Sequence, residues 1–290
     1  MAKQSETGSV VQIVRPARAL LGWLPEDQAV QVLAGQRRDL PISDDMRTRV
    51  LEARRAVADR PVGVDQKDVI TNPPLRLKGH IESLRTSPAA KVYFDEGWTV
   101  AMADLRKICA VQPHVFTDHA EERTATSRGD EPESLAQISL PLSAEAALPA
   151  QYDQVRQTWI IAGPNPNLRI VGNFGGPVQP GVIGFGFVVS ILQSFIQVAR
   201  VNGRCILRDG HHRAIGFLKR GIETVPVITR DYGEFEELGI GPGLLPTAAY
   251  LGPRPPLLVD YFDDVVSADV SLPAFQRMIV IHGLELTPMG

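Results

Sequence analysis

One continuous pattern between residues 202 and 229 limits the fold of this chain more than any other feature. The stretch reads NGRCILRDGHHRAIGFLKRGIETVPVIT. An Asn-Gly turn precedes a short stretch in which Cys205 and Leu207 alternate with Arg204, Ile206 and Arg208. This alternation predicts a short strand. Apolar residues at helical spacing then predict a helix from about His211 to Arg220, ended by Gly221, with a strand over residues 224–229. This order of elements indicates an α+β fold.

The turn between that strand and helix, Asp209 to Arg213, concentrates polar side chains. We expect Asp209 to be the N-cap of the helix and Gly210 to let the backbone approach a ligand closely. Free amides at a helix N-terminus attract anions, and His211, His212 and Arg213 add donors for phosphate oxygens. The turn therefore predicts a phosphate site. The alternative is a capped polar turn with one buried, hydrogen-bonded histidine.

Fewer residues of this turn support a metal site than support a phosphate site. Neighbouring histidines diverge by roughly 100° around a helix, so a zinc site is a poorer interpretation. Asp209 has three open roles: it can coordinate Mg²⁺ that bridges phosphates, act as a base, or only cap the helix. Arg208 and the alternating Arg200 and Arg204 either line one face toward a nucleotide or are solvated edge charges.

The segment from about residue 195 to 230, FIQVARVNGRCILRDGHHRAIGFLKRGIETVPVITR, resembles the core of the ParB/sulfiredoxin superfamily. The resemblance lies in a Gly-x-x-Arg turn at a helix start and a closing Gly-x-x-x-Val-Pro-Val strand. It implies a ParB/sulfiredoxin-like mixed sheet in which this turn binds nucleotide phosphates, with ATP or CTP and Mg²⁺ as expected cofactors. By position, Gly210, His212 and Arg213 would face phosphate, while Asp209 and His211 would flank it as the candidate catalytic residues.

Differences between this chain and members of that superfamily favour some of its activities over others. Sulfiredoxin has its catalytic cysteine where this chain has His211, which argues against sulfinic-acid reduction. The chain after Asp231 is rich in Gly and Pro and shows no pair of DNA-reading helices like those of partition proteins. The turn is closer to kinase-like members, in which a carboxylate receives the acceptor's proton.

Three functions follow in order of preference. The first is a phosphate- or nucleotide-binding protein that carries out Mg²⁺-dependent phosphoryl transfer or nucleotide hydrolysis. The second is a non-catalytic nucleotide sensor or protein-interaction module, with a homo-oligomer or protein partner. The third is a nuclease or DNA-binding protein, which is disfavoured because the net charge is −3 and gives no broad cationic field.

The composition of the chain indicates the cellular compartment that we expect. Two distant cysteines, Cys109 and Cys205, predict neither a disulfide framework nor a thiolate metal cluster and suit a reducing cytosol. The polar N-terminus has no apolar signal-peptide region, so we expect a cytoplasmic protein. Residues 170–199 lack charged side chains and histidine but contain polar residues, Pro and several Gly, which favours buried strands and turns over a membrane span.

The rest of the chain predicts two regions, a helical and mixed N-terminal region over residues 1–135 and a ParB/sulfiredoxin-like domain with a Gly/Pro-rich extension over 136–290. The N-terminal region should hold helices at about 25–35, 43–59 and 75–84 and a further short helix from about 87 to 94, then strands at 98–105 and 107–116. Residues 117–134 are polar and predict a loop or linker. At its edge, His114, Asp118 and His119 form a weak candidate metal cluster, for which solvated loop residues are the preferred interpretation.

Overall fold

The computed structural model describes residues 13–36, 41–143, 150–163, 167–239, 243–274 and 277–282 and has an α+β fold. Its α-helices are α1 (Glu26–Leu33), α2 (Asp44–Ala58), α3 (Lys78–Thr86), α4 (Pro88–Asp95), α5 (Thr117–Thr124), α6 (Pro132–Ser139), α7 (His211–Lys219) and α8 (Thr247–Tyr250). Its strands are β1 (Val14–Ala19), β2 (Ile70–Thr71), β3 (Thr99–Asp104), β4 (His114–Phe116), β5 (Ala150–Asp153), β6 (Thr158–Gly163), β7 (Leu168–Gln179), β8 (Val182–Ile191), β9 (Gln197–Val201), β10 (Arg204–Asp209), β11 (Thr224–Tyr232), β12 (Ala268–Pro273) and β13 (Arg277–Ile281).

The central sheet has the strand order β10-β9-β11-β3-β2, in which β9 and β11 are parallel and the other pairs are antiparallel. Pro226 lies inside β11 but opposite Met102 of β3, before the pairing with β9 begins at Ile228. The missing amide hydrogen of proline therefore costs no ladder hydrogen bond on the β9 side. This explains how a strand with strands on both sides tolerates the Val-Pro-Val sequence.

The predicted boundary at residue 135 does not separate two sheets. Strands β2 and β3 come from the first predicted region and share the central sheet with β9 to β11. A second sheet, β12-β1-β4, joins Val14–Ala19 to Ala268–Pro273, near the opposite end of the chain. Both predicted regions therefore contribute to one continuous set of buried apolar residues, in which Trp98, Phe195 and Phe217 are among the largest.

The strand-turn-helix-strand prediction is confirmed. Asn202 and Gly203 both have positive φ, 50° and 72°, which matches the right-handed twist of the hairpin between β9 and β10. Helix α7 follows over His211–Lys219, and Gly221, with φ of 75°, lies just beyond its end. Ser43 is the N-cap of α2, since its hydroxyl accepts from the amide of Met46 at 3.3 Å.

The predicted loop over residues 117–134 is wrong, because most of it forms α5 and the start of α6. In α5, Ala120 and Thr124 are one turn apart and fully buried, and they pack on α7 at Gly216. Two small buried residues are too few to mark a helix by apolar spacing. Tertiary packing rather than local pattern therefore stabilises this helix.

Three further expectations need correction. Only His114–Phe116 of the predicted 107–116 strand is a strand, and the coil expected after Asp231 contains β12, which pairs with β1. Residues 170–191 form a twisted two-stranded ribbon, β7 and β8, whose apolar side chains are largely exposed rather than buried. Within the described ranges, every helix is too short or too polar to cross a bilayer.

Candidate functional site

The turn after β10 has a backbone that only glycine adopts easily. Gly210 has φ of 92° and is the N-cap of α7, so the prediction of Asp209 as N-cap is wrong. The Asp209 carboxylate instead accepts a hydrogen bond from the amide of Gly210 at 2.7 Å. A Cβ at Gly210 would stand 2.8 Å from Cγ1 and 3.0 Å from Cα of Ile196. Close packing and a left-handed backbone therefore both require glycine here.

A cavity of about 240 Å³ lies over this turn at the N-terminus of α7. Its walls come from β1, α5, the turn itself and the segments before β7 and β9. The lining residues are Arg15, Gln112, Phe116, His119, Arg123, Asn167, Ser194, Asp209, Gly210, His211, His212, Arg213 and Ala274. Three of these are arginines and one is a carboxylate, so arginines outnumber acids in the lining.

Burial changes the chemistry of Asp209. Loss of hydration raises the pKa of its carboxyl, while Arg213 and the Gly210 amide act in the opposite direction. The carboxyl is the acidic group of the cavity lining. A carboxyl with a raised pKa can exchange a proton nearer neutral pH than an exposed aspartate can.

His211 is the most unusual side chain of the site. It is 2% exposed, and neither ring nitrogen has a hydrogen-bond partner among the described residues. Burial lowers its pKa to about 3, so the ring is neutral at physiological pH. A neutral imidazole has one donor and one acceptor, and leaving them unpaired in the interior is costly. The residue contributes to the lining of the cavity, but both of its ring nitrogens are themselves buried.

His212 is also neutral, because burial lowers its pKa to about 3. Its Nε2 accepts from the backbone amide of Phe116 at 3.3 Å, which leaves Nδ1 as the protonated nitrogen. The ring lies edge-on to His119, with centroids 4.7 Å apart. Neither turn histidine therefore supplies positive charge.

Arg213 has a structural as well as a lining role. Its guanidinium donates to the carbonyl oxygens of Ile138 and Ser194 at 3.1 and 2.8 Å, and to the Ser194 hydroxyl at 3.1 Å. These bonds connect α7 to the end of α6 and to the segment before β9. The side chain is 7% exposed, so the predicted phosphate contact would come from a guanidinium that already orders the wall of the cavity.

Arg208 lies away from the cavity lining. It donates to the carbonyl of Leu238 at 3.0 Å and to the Gln197 side chain at 3.2 Å, and it stacks over the Trp98 ring at 5.5 Å. A bulge at the end of β10 interrupts the alternation of side chains there, and Asp209 borders both the cavity over the turn and a second cavity that Arg208 also lines. The structure therefore brings Asp209 through Arg213 together around the first cavity and places Arg208 at the second.

Sequence reasoning missed the arginines that distant elements contribute. Arg15 of β1 donates to Asp118 at 2.8 Å and to Glu122 at 3.0 Å, which holds α5 against β1. Arg123 of α5 donates to Nε2 of His119 at 3.3 Å. His119 thus lines the cavity, and Asp118 pairs with the lining residue Arg15. Among the described residues, no group of three or more His, Cys, Asp or Glu has the arrangement of a metal site.

Comparisons of the chain with models of known protein families, with curated proteins and with solved structures gave no match.

Proposed function

We propose that this protein binds a phosphorylated small molecule, with a nucleotide as the leading candidate, and that the phosphate group lies at the N-terminus of α7. The observation that carries the proposal is the cavity over residues 209–213, which combines the first-turn amides of a helix with arginines from two other elements. Amides at a helix start and guanidinium groups are both preferred partners of phosphate oxygens.

The balance of charge supports an anion. Both turn histidines are neutral, so the positive potential comes from Arg15, Arg123, Arg213 and the helix dipole. Three carboxyls oppose them: Asp209, whose pKa is raised, and Asp118 and Glu122, which pair with Arg15. Arg123, Arg213 and the first-turn amides therefore carry the attraction for an anion. This donor set is a poor cage for Mg²⁺, which prefers several oxygen ligands, so we derive no step through a protein-bound ion.

The size of the cavity limits what it encloses. Pockets for drug-sized ligands are roughly 300–1,000 Å³, and this one is about 240 Å³. It accommodates a phosphate or diphosphate group together with a small adjoining part of a ligand. The base and sugar of a nucleotide would lie at its mouth.

A reaction at this site would depend on Asp209. Its raised pKa and its place in the lining suit it to take a proton from an attacking hydroxyl or water next to the phosphate. A turnover assay on ATP and CTP distinguishes this catalytic version of the proposal from binding alone, since Asp209→Asn would abolish turnover and leave phosphate binding intact.

Titration calorimetry with ATP, CTP and inorganic pyrophosphate tests the proposal. Arg123→Ala should weaken binding about 10-fold or more, because a charge-assisted hydrogen bond contributes roughly 1.5–3 kcal/mol. Arg200→Ala is the matched control, since Arg200 pairs with Asp231 at 2.6 Å outside the cavity. The proposal fails if none of the three compounds binds, or if both variants bind as the unchanged protein does.

A further inference from the structure

The ribbon of β7 and β8 is an apolar surface that the described part of the chain leaves uncovered. Its strands pair with each other and with no third described strand. From Ile170 to Ala199 the sequence has no charged residue. Large side chains are nonetheless exposed on it, including Ile183 at 76% and Phe185 at 72%. An isolated two-stranded ribbon is only marginally stable in water, so such a surface is typical of an interface.

On one face of the ribbon, β8 carries large side chains and β7 carries smaller ones. Cross-strand partners lie on the same face, and the pairs here are Asn173 with Phe187, Gly175 with Phe185 and Pro177 with Ile183. The β8 members are large and apolar, whereas Gly175 is exposed and has no side chain. On the opposite face the Phe174 ring already lies over Gly186. On the first face, the row of large β8 side chains therefore runs beside the row of smaller β7 residues.

We infer that two copies of this chain associate through this face of the ribbon. A two-fold axis places the β8 row of each copy on the β7 row of the other, so that Phe185 packs over the partner's Gly175 and the reverse contact forms at the same time. A second copy fits better than a charged partner, because the ribbon from Ile170 onward offers no charge to pair and two such surfaces do not repel each other.

The area is compatible with a reversible dimer. Ile183, Phe185 and Phe187 expose on the order of 400 Å² on this face, taking about 200 Å² for a fully exposed large side chain. With the β7 residues, two copies would bury on the order of 1,000 Å², the lower end for a specific interface. We therefore expect an equilibrium between monomer and dimer that depends on protein concentration.

Sedimentation velocity from low to high micromolar concentration tests this inference. The unchanged protein should shift from monomer to dimer, and Phe185→Asp should weaken the dimer by about 30-fold or more, as for a central interface residue. Val188→Asp is the control: Val188 is 50% exposed and pairs with Gly172 on the other face, so its dimer should persist. Phe185 is exposed in the monomer, so at concentrations where the unchanged protein is monomeric, urea unfolding of both variants should match that of the unchanged protein.

Three results would overturn the inference. The first is a monomer at every concentration. The second is equal dissociation of the dimer by Phe185→Asp and Val188→Asp, which would mean that this face is not the contact. The third is a monomer that floats with phosphatidylcholine and phosphatidylglycerol vesicles, which would make a lipid surface the occupant of the ribbon.

Discussion

Acidification should destabilise this protein because unfolding exposes two buried, neutral histidines, which then bind protons in acid. The pKa of His211 and that of His212 are lowered to about 3 by burial, against 6.5 in an exposed residue. The unfolded chain therefore binds these protons at a higher pH than the folded chain does. The stability that each neutral ring contributes is complete above pH 6.5 and is lost as the pH falls toward 3.

The magnitude follows from the linkage relation. At pH 5 the solution is 1.5 units below the ordinary value of 6.5, so each histidine lowers the free energy of unfolding by about 2 kcal/mol relative to neutral pH. His114 and His119 act in the same direction, since burial lowers the pKa of both. Asp209 acts in the opposite direction, because its raised pKa favours the folded state as the carboxyl becomes protonated.

Urea unfolding at pH 7, 6 and 5 measures this effect as a shift of the midpoint at constant slope. His211→Leu removes one titrating ring at similar volume and should reduce the dependence on pH by about 2 kcal/mol between pH 7 and 5. Asp209→Asn separates the opposing contribution of the carboxyl. The reasoning is refuted if the midpoint is the same at pH 7 and 5, or if His211→Leu and the unchanged protein respond equally to acid.

Substitutions at Gly210 and Gly216 give further predictions, with Gly203 of the β9–β10 hairpin as the comparison for Gly210. Gly210→Ala and Gly203→Ala both place alanine in a left-handed backbone, which costs about 1–2 kcal/mol. Only Gly210→Ala also collides with Ile196, so urea midpoints should show an additional loss of about 1–3 kcal/mol, and equal losses would contradict this. Gly216→Ala would drive a methyl group into Thr124 of α5 and displace the cavity wall. Calorimetry should show weaker pyrophosphate binding at temperatures where the variant is folded, and unchanged affinity would contradict it.

The unit from Asn202 to Tyr232 could be predicted because its signals are local. An Asn-Gly turn, alternation in a strand and a glycine after a helix each act over a few residues. The position of the candidate site followed from the same signals. The N-cap assignment did not hold, because Asp209 still pairs with Gln197 in the bulged end of β10 and Gly210 takes the cap position.

The walls of the cavity could not be predicted, because they depend on contacts between distant parts of the chain. Arg15 reaches the site only when β1 pairs with β12 and β4. Arg123 reaches it because α5 packs on α7 through Ala120 and Gly216. No local pattern encodes such contacts. The exposed ribbon was predicted to be buried because apolar content alone does not distinguish a core strand from an interface strand.

A crystal structure of the protein with pyrophosphate tests the central claim most directly. We expect phosphate oxygens within about 3 Å of the backbone amides of His211 and His212, with at least one guanidinium of Arg15, Arg123 or Arg213 on the same group. Pyrophosphate bound only on the Arg208 side of the sheet, or no pyrophosphate bound at saturating concentration, would contradict the assignment of this cavity as a phosphate site.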